Sequence, residues 1–486
     1  MPTPPLFPRL LAADIDGRCQ SIRYRQLQFH QFQTAVLQNI AAIKDAIATD
    51  SEHSAEEVRA EICLAMKEIR THYASLDLET DLQEEYRVAN GKNNPTGRKG
   101  VGIVYVVPGS HTLFFDLVAA WAAAVAGGNC VVFELPKNTM SLPGILRKIL
   151  PPALDADTFA ISEERPDAGF LSNNTLVILQ GHSAPISDRG LLSSTTARTV
   201  AVVDRTADIP AAAEALVSAR FAFAGRATYS PDLVLVQEFI MKEFTEAVIQ
   251  RSSRYLGGQN GEARQTTVNP RRASPGASLL DAAYKDASAR VVVSGSEWGV
   301  VEVLGRKSPL LRRKISEKVL IIHPVSSLDD AIDFSNSMAP FAATYAFAAP
   351  SSAKYLTQFI DAHISWVNHF PTDILIGPTY PPSHPPPGKT RYSTSWLQVP
   401  RPQFVSESEN AGFVRGVLDT AGGSGGNEKA WEEALTPLPA IGRPGGKTIG
   451  FFEQGMITGG VVLLVSVVGT VVVVGGYGIN VVRGLG

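Results

Sequence analysis

The C-terminal end of the chain constrains its fold more than any other stretch. Residues 455–482, GMITGGVVLLVSVVGTVVVVGGYGINVV, carry no charged side chain over 28 positions, and the charges that bracket them are Glu453 and Arg483. A helix needs about 20 apolar residues to cross the hydrocarbon of a bilayer. Core segments of soluble domains seldom run this long without a charge. The many glycines and valines weaken a helix in water, whereas glycine is well tolerated in lipid. The run therefore predicts one transmembrane helix at 455–482. Only four residues follow Val482, and the N-terminal MPTPPLFPRLLAADIDG is proline-rich without the apolar centre of a secretory signal. Together these predict a tail anchor, with the bulk of the chain facing the cytosol. The flanking Arg443, Lys447 and Arg483 supply little basic charge, which favours the endoplasmic reticulum over the mitochondrial outer membrane. The single Gly455–Gly459 spacing is too weak a signal to claim helix pairing.

The rest of the chain reads as a folded protein. Its 486 residues leave room for two or three domains, and 44% hydrophobic against 19% charged content suits a globular core. A net charge of −3 without a Lys/Arg stripe argues against a nucleic-acid partner. Cys19, Cys63 and Cys130 stand far apart in sequence. They make neither a disulfide framework nor a metal-spaced cluster, so no metal is expected and a reducing compartment is the natural reading.

The first part is helical. Phe29, Phe32, Val36, Ile40 and Ile43 follow three-four spacing, the signature of one helix face. Ser54 with Glu57 makes a capping box for a helix that buries Val58, Ile62, Met66 and Ile69, with Cys63 packed beside that stripe. Short β-rich runs then alternate with helical ones: VGIVYVV (101–107), CVVFEL (130–135), TLVILQ (175–180) and TVAVVD (199–204). A second α/β region follows, with DLVLVQ (232–237), RVVVSG (290–295), KVLIIHP (318–324), TYAFAAP (344–350) and HISWVNH (363–369). Such alternation predicts parallel sheets with helices on both faces. Residues 376–394, IGPTYPPSHPPPGKTRYST, hold six prolines, which favour an extended path and a stiff surface loop.

Taken as a set, several segments resemble an aldehyde dehydrogenase from about Tyr24 to about His369. AAAVAGGNCVVFELPK (122–137), SLDDAIDFSN (327–336) with APFAATYAFA (339–348), and SWVNHF (365–370) match family segments, with Gly128 and Asn129 in place. The C-terminal membrane segment is similar to that of the family's fatty-aldehyde members. The resemblance implies an NAD(P)-binding Rossmann-like domain, an α/β catalytic domain and a small oligomerising arm. The expected boundaries are 1–205 for the N-terminal helices and NAD(P)-binding-type domain and 206–375 for the catalytic-type domain. A proline-rich loop with an arm remnant is expected at 376–420, a Gly/Pro-rich linker at 421–454 and the anchor at 455–482. The implied chemistry is oxidation of an aldehyde by a cysteine nucleophile, a glutamate base and NAD(P).

Residue by residue, the chain departs from that pattern. The nucleophile loop reads FAGRAT at 223–228, which puts Thr228 where the family has cysteine. An aliphatic hydroxyl is a far weaker acid than a thiol and needs a dedicated base, which the neighbouring sequence does not supply. No cysteine follows Cys130. The tract bearing the general-base glutamate is bridged by SSTTARTVAVVD (193–204). The oxyanion asparagine falls at or beside Ser110, whose hydroxyl can still donate one hydrogen bond. The lysine that touches the adenosine ribose falls at Glu134, which would accept ribose hydroxyls and repel a 2′-phosphate, favouring NAD over NADP. Gly181 keeps the glycine of the pyrophosphate turn, and Lys314 falls near the glutamate that holds the nicotinamide ribose.

Three readings follow. The first is a membrane-anchored, catalytically degenerate member that acts by binding, as a homodimer or paired with an active paralogue. The second is an NAD-dependent oxidoreductase for apolar aldehydes working without cysteine, with Ser110, His111, Thr228 and Tyr229 lining its pocket. The third is an interaction module that uses the proline run.

Overall fold

The computed structural model describes residues 7–172, 175–181, 189–254, 278–295, 297–418, 431–442 and 450–483. Linker positions 421–430 and 443–449, Arg443 and Lys447 among them, lie outside the described residues. The chain forms two compact units, Met1–Ser406 and Glu407–Gly486.

Among the described residues as far as Ser252, ten α-helices form: α1 (Pro8–Asp16), α2 (Ile22–Gln38), α3 (Ile40–Ser51), α4 (Ala55–Ala74), α5 (Leu78–Glu85), α6 (Leu113–Ala126), α7 (Ser141–Ile149), α8 (Ala168–Ser172), α9 (Ile209–Phe221) and α10 (Met241–Ser252). The capping box of α4 forms as expected, with Ser54 and Glu57 exchanging hydrogen bonds. Two expectations fail here. The apolar stripe from Phe29 to Ile43 is shared by two helices that meet at Asn39, whose side-chain amide donates back to Ala35 O (2.8 Å). Cys63 is exposed rather than packed, and Ile62 is only half-buried, because the buried face of α4 runs through Val58, Glu61, Ala65, Met66 and Ile69.

The N-terminal sheet is five-stranded and wholly parallel, in the order β4 (Phe159–Ser162), β3 (Cys130–Glu134), β2 (Ile103–Val107), β5 (Thr175–Gln180), β6 (Gly190–Ser193). Every residue of α6 is buried, so this alanine-rich helix is covered on all sides. It packs against α4, and against α2 through Trp121, which stacks on Phe32 at 4.0 Å. Each such buried ring contributes about 1.5–3 kcal/mol relative to exposure.

The second sheet has seven strands. Their order is β13 (Ala362–Val367), β12 (Phe341–Phe347), β7 (Arg198–Val203), β8 (Leu233–Gln237), β11 (Lys318–Val325), β10 (Trp298–Val303), β9 (Ala289–Ser294). All neighbours are parallel except β9 with β10. The chain passes from one sheet to the other in the four residues between Ser193 and Arg198. A two-stranded ribbon joins β1 (Arg98–Gly100) to β14 (Gln398–Pro400). The proline run is anchored by buried Tyr380 on one side and buried Arg391 and Tyr392 on the other, with 382–389 mostly at the surface.

In the second unit, a helix spans Phe451–Arg483. Its window Glu453–Thr470, 18 residues with none buried, is long and apolar enough to cross a membrane.

Candidate active site

The loop after α9 is built around Gly225. The chain turns through left-handed conformations at Phe223 (φ 49°), Ala224 (φ 54°) and Gly225 (φ 72°). A Cβ on Gly225 would lie 2.4 Å from the carbonyl carbon of Glu317, so no larger residue fits. Wholly buried Arg220 staples the loop, donating to Gly225 O and to Pro231 O (3.4 Å). Its guanidinium also lies 3.6 Å from Asp232.

Asp232 organises everything behind this loop. Its Oδ2 accepts from Thr199 N (2.8 Å) and from Lys314 Nζ (2.9 Å), and its Oδ1 accepts from Ile315 N (2.9 Å). Lys314 donates a second hydrogen bond to the carbonyl oxygen of Thr228 (2.6 Å). Burial lowers the pKa of Lys314, with Asp232 opposing the shift. The Thr228 hydroxyl oxygen is buried without a hydrogen-bond partner among the described residues.

In front of the loop lies a cavity of about 250 Å³, lined by Ser110, His111, Asp116, Gly181, Thr228 and Lys314 together with neighbours that include Arg226, Ile315 and Pro378. It sits at the carboxyl ends of β2 and β5. These two central strands are where the strand order reverses, the usual place for a ligand in an open α/β sheet. Asp116, in the first turn of α6, accepts from Gly109 N (3.1 Å) and Thr112 Oγ1 (3.1 Å). Burial raises its pKa to about 7. A Cβ on Gly109 would meet Asp116 Oδ2 at 2.5 Å, so this approach needs glycine. Gly181 turns the chain with φ 77° and donates its N–H to Ser193 O (2.9 Å). The ring of His111 donates from Nε2 to Leu375 O (3.0 Å), and burial lowers its pKa to about 4, so it is neutral at pH 7.

Five of the sequence-derived candidates, Ser110, His111, Gly181, Thr228 and Lys314, thus meet around one cavity. Glu134 stands apart at the end of β3. Its carboxylate accepts from Tyr105 Oη (2.8 Å) and takes the Arg165 fork at 3.0 and 2.8 Å. As a test of cofactor fit, the oxygens that would hold ribose hydroxyls already carry these donors, and Lys314 is committed to Asp232 and Thr228. Tyr229 does not line the cavity. It is fully buried, with its hydroxyl accepting from Tyr380 N (2.9 Å). Cys19 and Cys130, far apart in sequence, meet in the core with sulfurs 3.7 Å apart as free thiols.

Sequence reasoning missed Asp116, Arg226 and the Arg220–Asp232–Lys314 cluster. Asp116 had a readable signal, since it is the single charge in the otherwise apolar LFFDLVAAWAAAVA. The cluster had none, because Lys314 reaches Asp232 across 82 positions of chain.

The fold is that of the aldehyde dehydrogenases among solved structures, and residues 191–376 match the model of the Aldehyde dehydrogenase family. More particularly, the chain is similar to Aldehyde dehydrogenase family 3 member B1 of Rattus norvegicus, with 24% identity over 370 residues, covering 69% of this chain and 76% of that protein. Among solved structures, AldH of Staphylococcus aureus in a substrate-bound state aligns with a TM-score of 0.65 at 16% identity, covering 88% of this chain and 98% of that one. Betaine aldehyde dehydrogenase of S. aureus in complex with NAD+ aligns with a TM-score of 0.62 at 13% identity, covering 83% and 87%.

Proposed function

We propose that this chain is a membrane-anchored, catalytically degenerate member of the aldehyde dehydrogenase family, acting as a pseudoenzyme or scaffold and pairing with itself or an active paralogue. The observation that carries this reading is Thr228. It occupies the nucleophile position of a loop whose glycine and core contacts are intact, and its hydroxyl touches no base. Lys314 binds its carbonyl oxygen instead. Without thiolate or base, the covalent step of the family has no nucleophile.

The same reading assigns residues 1–205 to the NAD(P)-binding type of domain and 206–375 to the catalytic type, with 455–482 as a cytosol-facing tail anchor at the endoplasmic reticulum. The window Glu453–Thr470, whose single charge is Glu453 at its start, supports the anchor. NAD is the cofactor to test first, at the Gly181 turn, since the Glu134 oxygens are already taken by Tyr105 and Arg165. When bound, it would supply a hydride acceptor. Ser110 stands at the oxyanion position on the rim of the cavity.

Calorimetric titration of NAD and NADP into the detergent-solubilised full chain, with NADH formation followed on medium-chain aldehydes, tests the reading. Turnover above that of a Thr228→Val variant would overturn it. A second reading, an oxidoreductase without cysteine, draws support from Asp116, a proton-bearing group in the cavity wall.

A further inference from the structure

We propose that Lys314 captures small aldehydes as an imine within the cavity it shares with Thr228 and Asp116. The inference rests on the degenerate reading above and names a chemistry for the same site.

The geometry is that of an amine held in a desolvated wall beside other cations. Lys314 lines the cavity and its side chain retains 19% exposure, and attack requires Nζ to release its hydrogen bonds to Thr228 O and Asp232. Its single anionic partner, Asp232, is shared with wholly buried Arg220. Two cations therefore divide one carboxylate, and Arg198 adds a further repulsive charge to Lys314. Desolvation beside like charge is the arrangement that frees a lysine amine for attack on carbonyls. The lowered pKa of Lys314 agrees with this placement. The cavity volume of about 250 Å³ suits an aldehyde of a few carbons, given that a water takes about 30 Å³ in the liquid. Ile315 and Pro378 supply apolar wall for its tail.

The step balances without an oxidant or reductant. After losing one proton to solvent, the neutral Nζ attacks the aldehyde carbon. A C–N bond forms and the carbonyl π electrons move to oxygen. The alkoxide is protonated and the nitrogen loses its second proton, giving the carbinolamine. Asp116, a cavity-lining carboxyl whose protonated form is favoured by burial, donates to the departing hydroxyl. The C–O bond breaks, water leaves, and the nitrogen lone pair completes the protonated imine, the species that cyanoborohydride reduces.

The test is reductive trapping on the full chain in detergent, with butanal and sodium cyanoborohydride at pH 7.5, followed by peptide mass mapping over time. Lys314 is expected to gain the butyl group at least tenfold faster than Lys137, whose side chain is 75% exposed. Asp116→Asn is expected to slow labelling of Lys314 and leave Lys137 unchanged. A Lys314 rate equal to or below that of Lys137 in the unaltered chain overturns the proposal, and this comparison needs no variant to fold. NADH formation, measured separately without the borohydride, bears on the preceding reading alone.

Discussion

Lys314 and Arg220 approach one carboxylate, Asp232, from two sides, at 2.9 and 3.6 Å. The three groups join the 228–232 loop, the end of α9 and the segment before β11 into one buried knot. Removing one member of such a set is costly, because it strands the others. Asp232→Asn leaves two buried cations without a counter-charge and should destabilise the fold by about 3–5 kcal/mol. Breaking the Arg306–Asp330 pair, whose arginine is 51% exposed, should cost no more than about 1 kcal/mol. Urea unfolding of both variants measures the contrast, and equal losses would mean that the buried knot holds nothing together.

Gly225 offers a second contrast. Gly225→Ala places a methyl 2.4–2.6 Å from the backbone of Glu317 and Lys318, at a φ of 72°. The 223–228 loop would have to lift away, and the loss should exceed about 1 kcal/mol from backbone strain alone. Gly412→Ala, in the helix Glu409–Leu418 with nothing within 4 Å of the added methyl, should be neutral or should gain about 0.5–1 kcal/mol. Thermal melting of the two variants decides the point.

What could be read from the residues divides along physical lines. Strands such as CVVFE and TLVILQ announce themselves, because a strand buried on both faces must be apolar throughout. Ser54 and Glu57 were legible because a capping box is local. The break at Asn39 was not, since the apolar spacing continues across it and only the Asn39 amide folding back on Ala35 marks the end of α2. In the same way Ser110, Gly181 and Thr228 could be named from loop motifs. The Arg165 fork on Glu134 depends on β3 and β4 lying side by side in register, which no local pattern encodes.

That fork bears on cofactor choice. With Arg165 in place, the Glu134 oxygens are occupied and their charge is neutralised. Arg165→Ala should free them to accept ribose hydroxyls and tighten NAD by about tenfold, the worth of one charge-assisted hydrogen bond. Glu134→Gln should instead release the guanidinium toward a 2′-phosphate and shift preference to NADP. Titration calorimetry of the two variants checks both. Unchanged preference in each would place nucleotide recognition elsewhere.

Two buried carboxyls set the pH dependence of folding. Burial raises Asp116 from 3.8 to about 7 and Glu61 from 4.5 to about 8. Glu61 Oε1 also accepts from Phe115 N at the start of α6 (3.3 Å), next to Asp116 in the chain. Both groups hold their protons in the folded state at pH values where the unfolded chain has released them. Between about pH 4 and pH 8 the folded form therefore binds more protons than the unfolded form, and stability falls as pH rises. The contribution is complete below the unfolded values and is lost above the folded ones. The melting temperature should drop steadily from pH 5 to pH 8, and the combined Glu61→Gln and Asp116→Asn variant should flatten that slope. The Glu61→Gln amide keeps the acceptor for Phe115 N, the Asp116→Asn amide keeps one oxygen for Gly109 N while its NH2 can donate to Thr112 Oγ1, and neither amide can ionise. A variant slope as steep as that of the unaltered chain would show that other groups carry the titration.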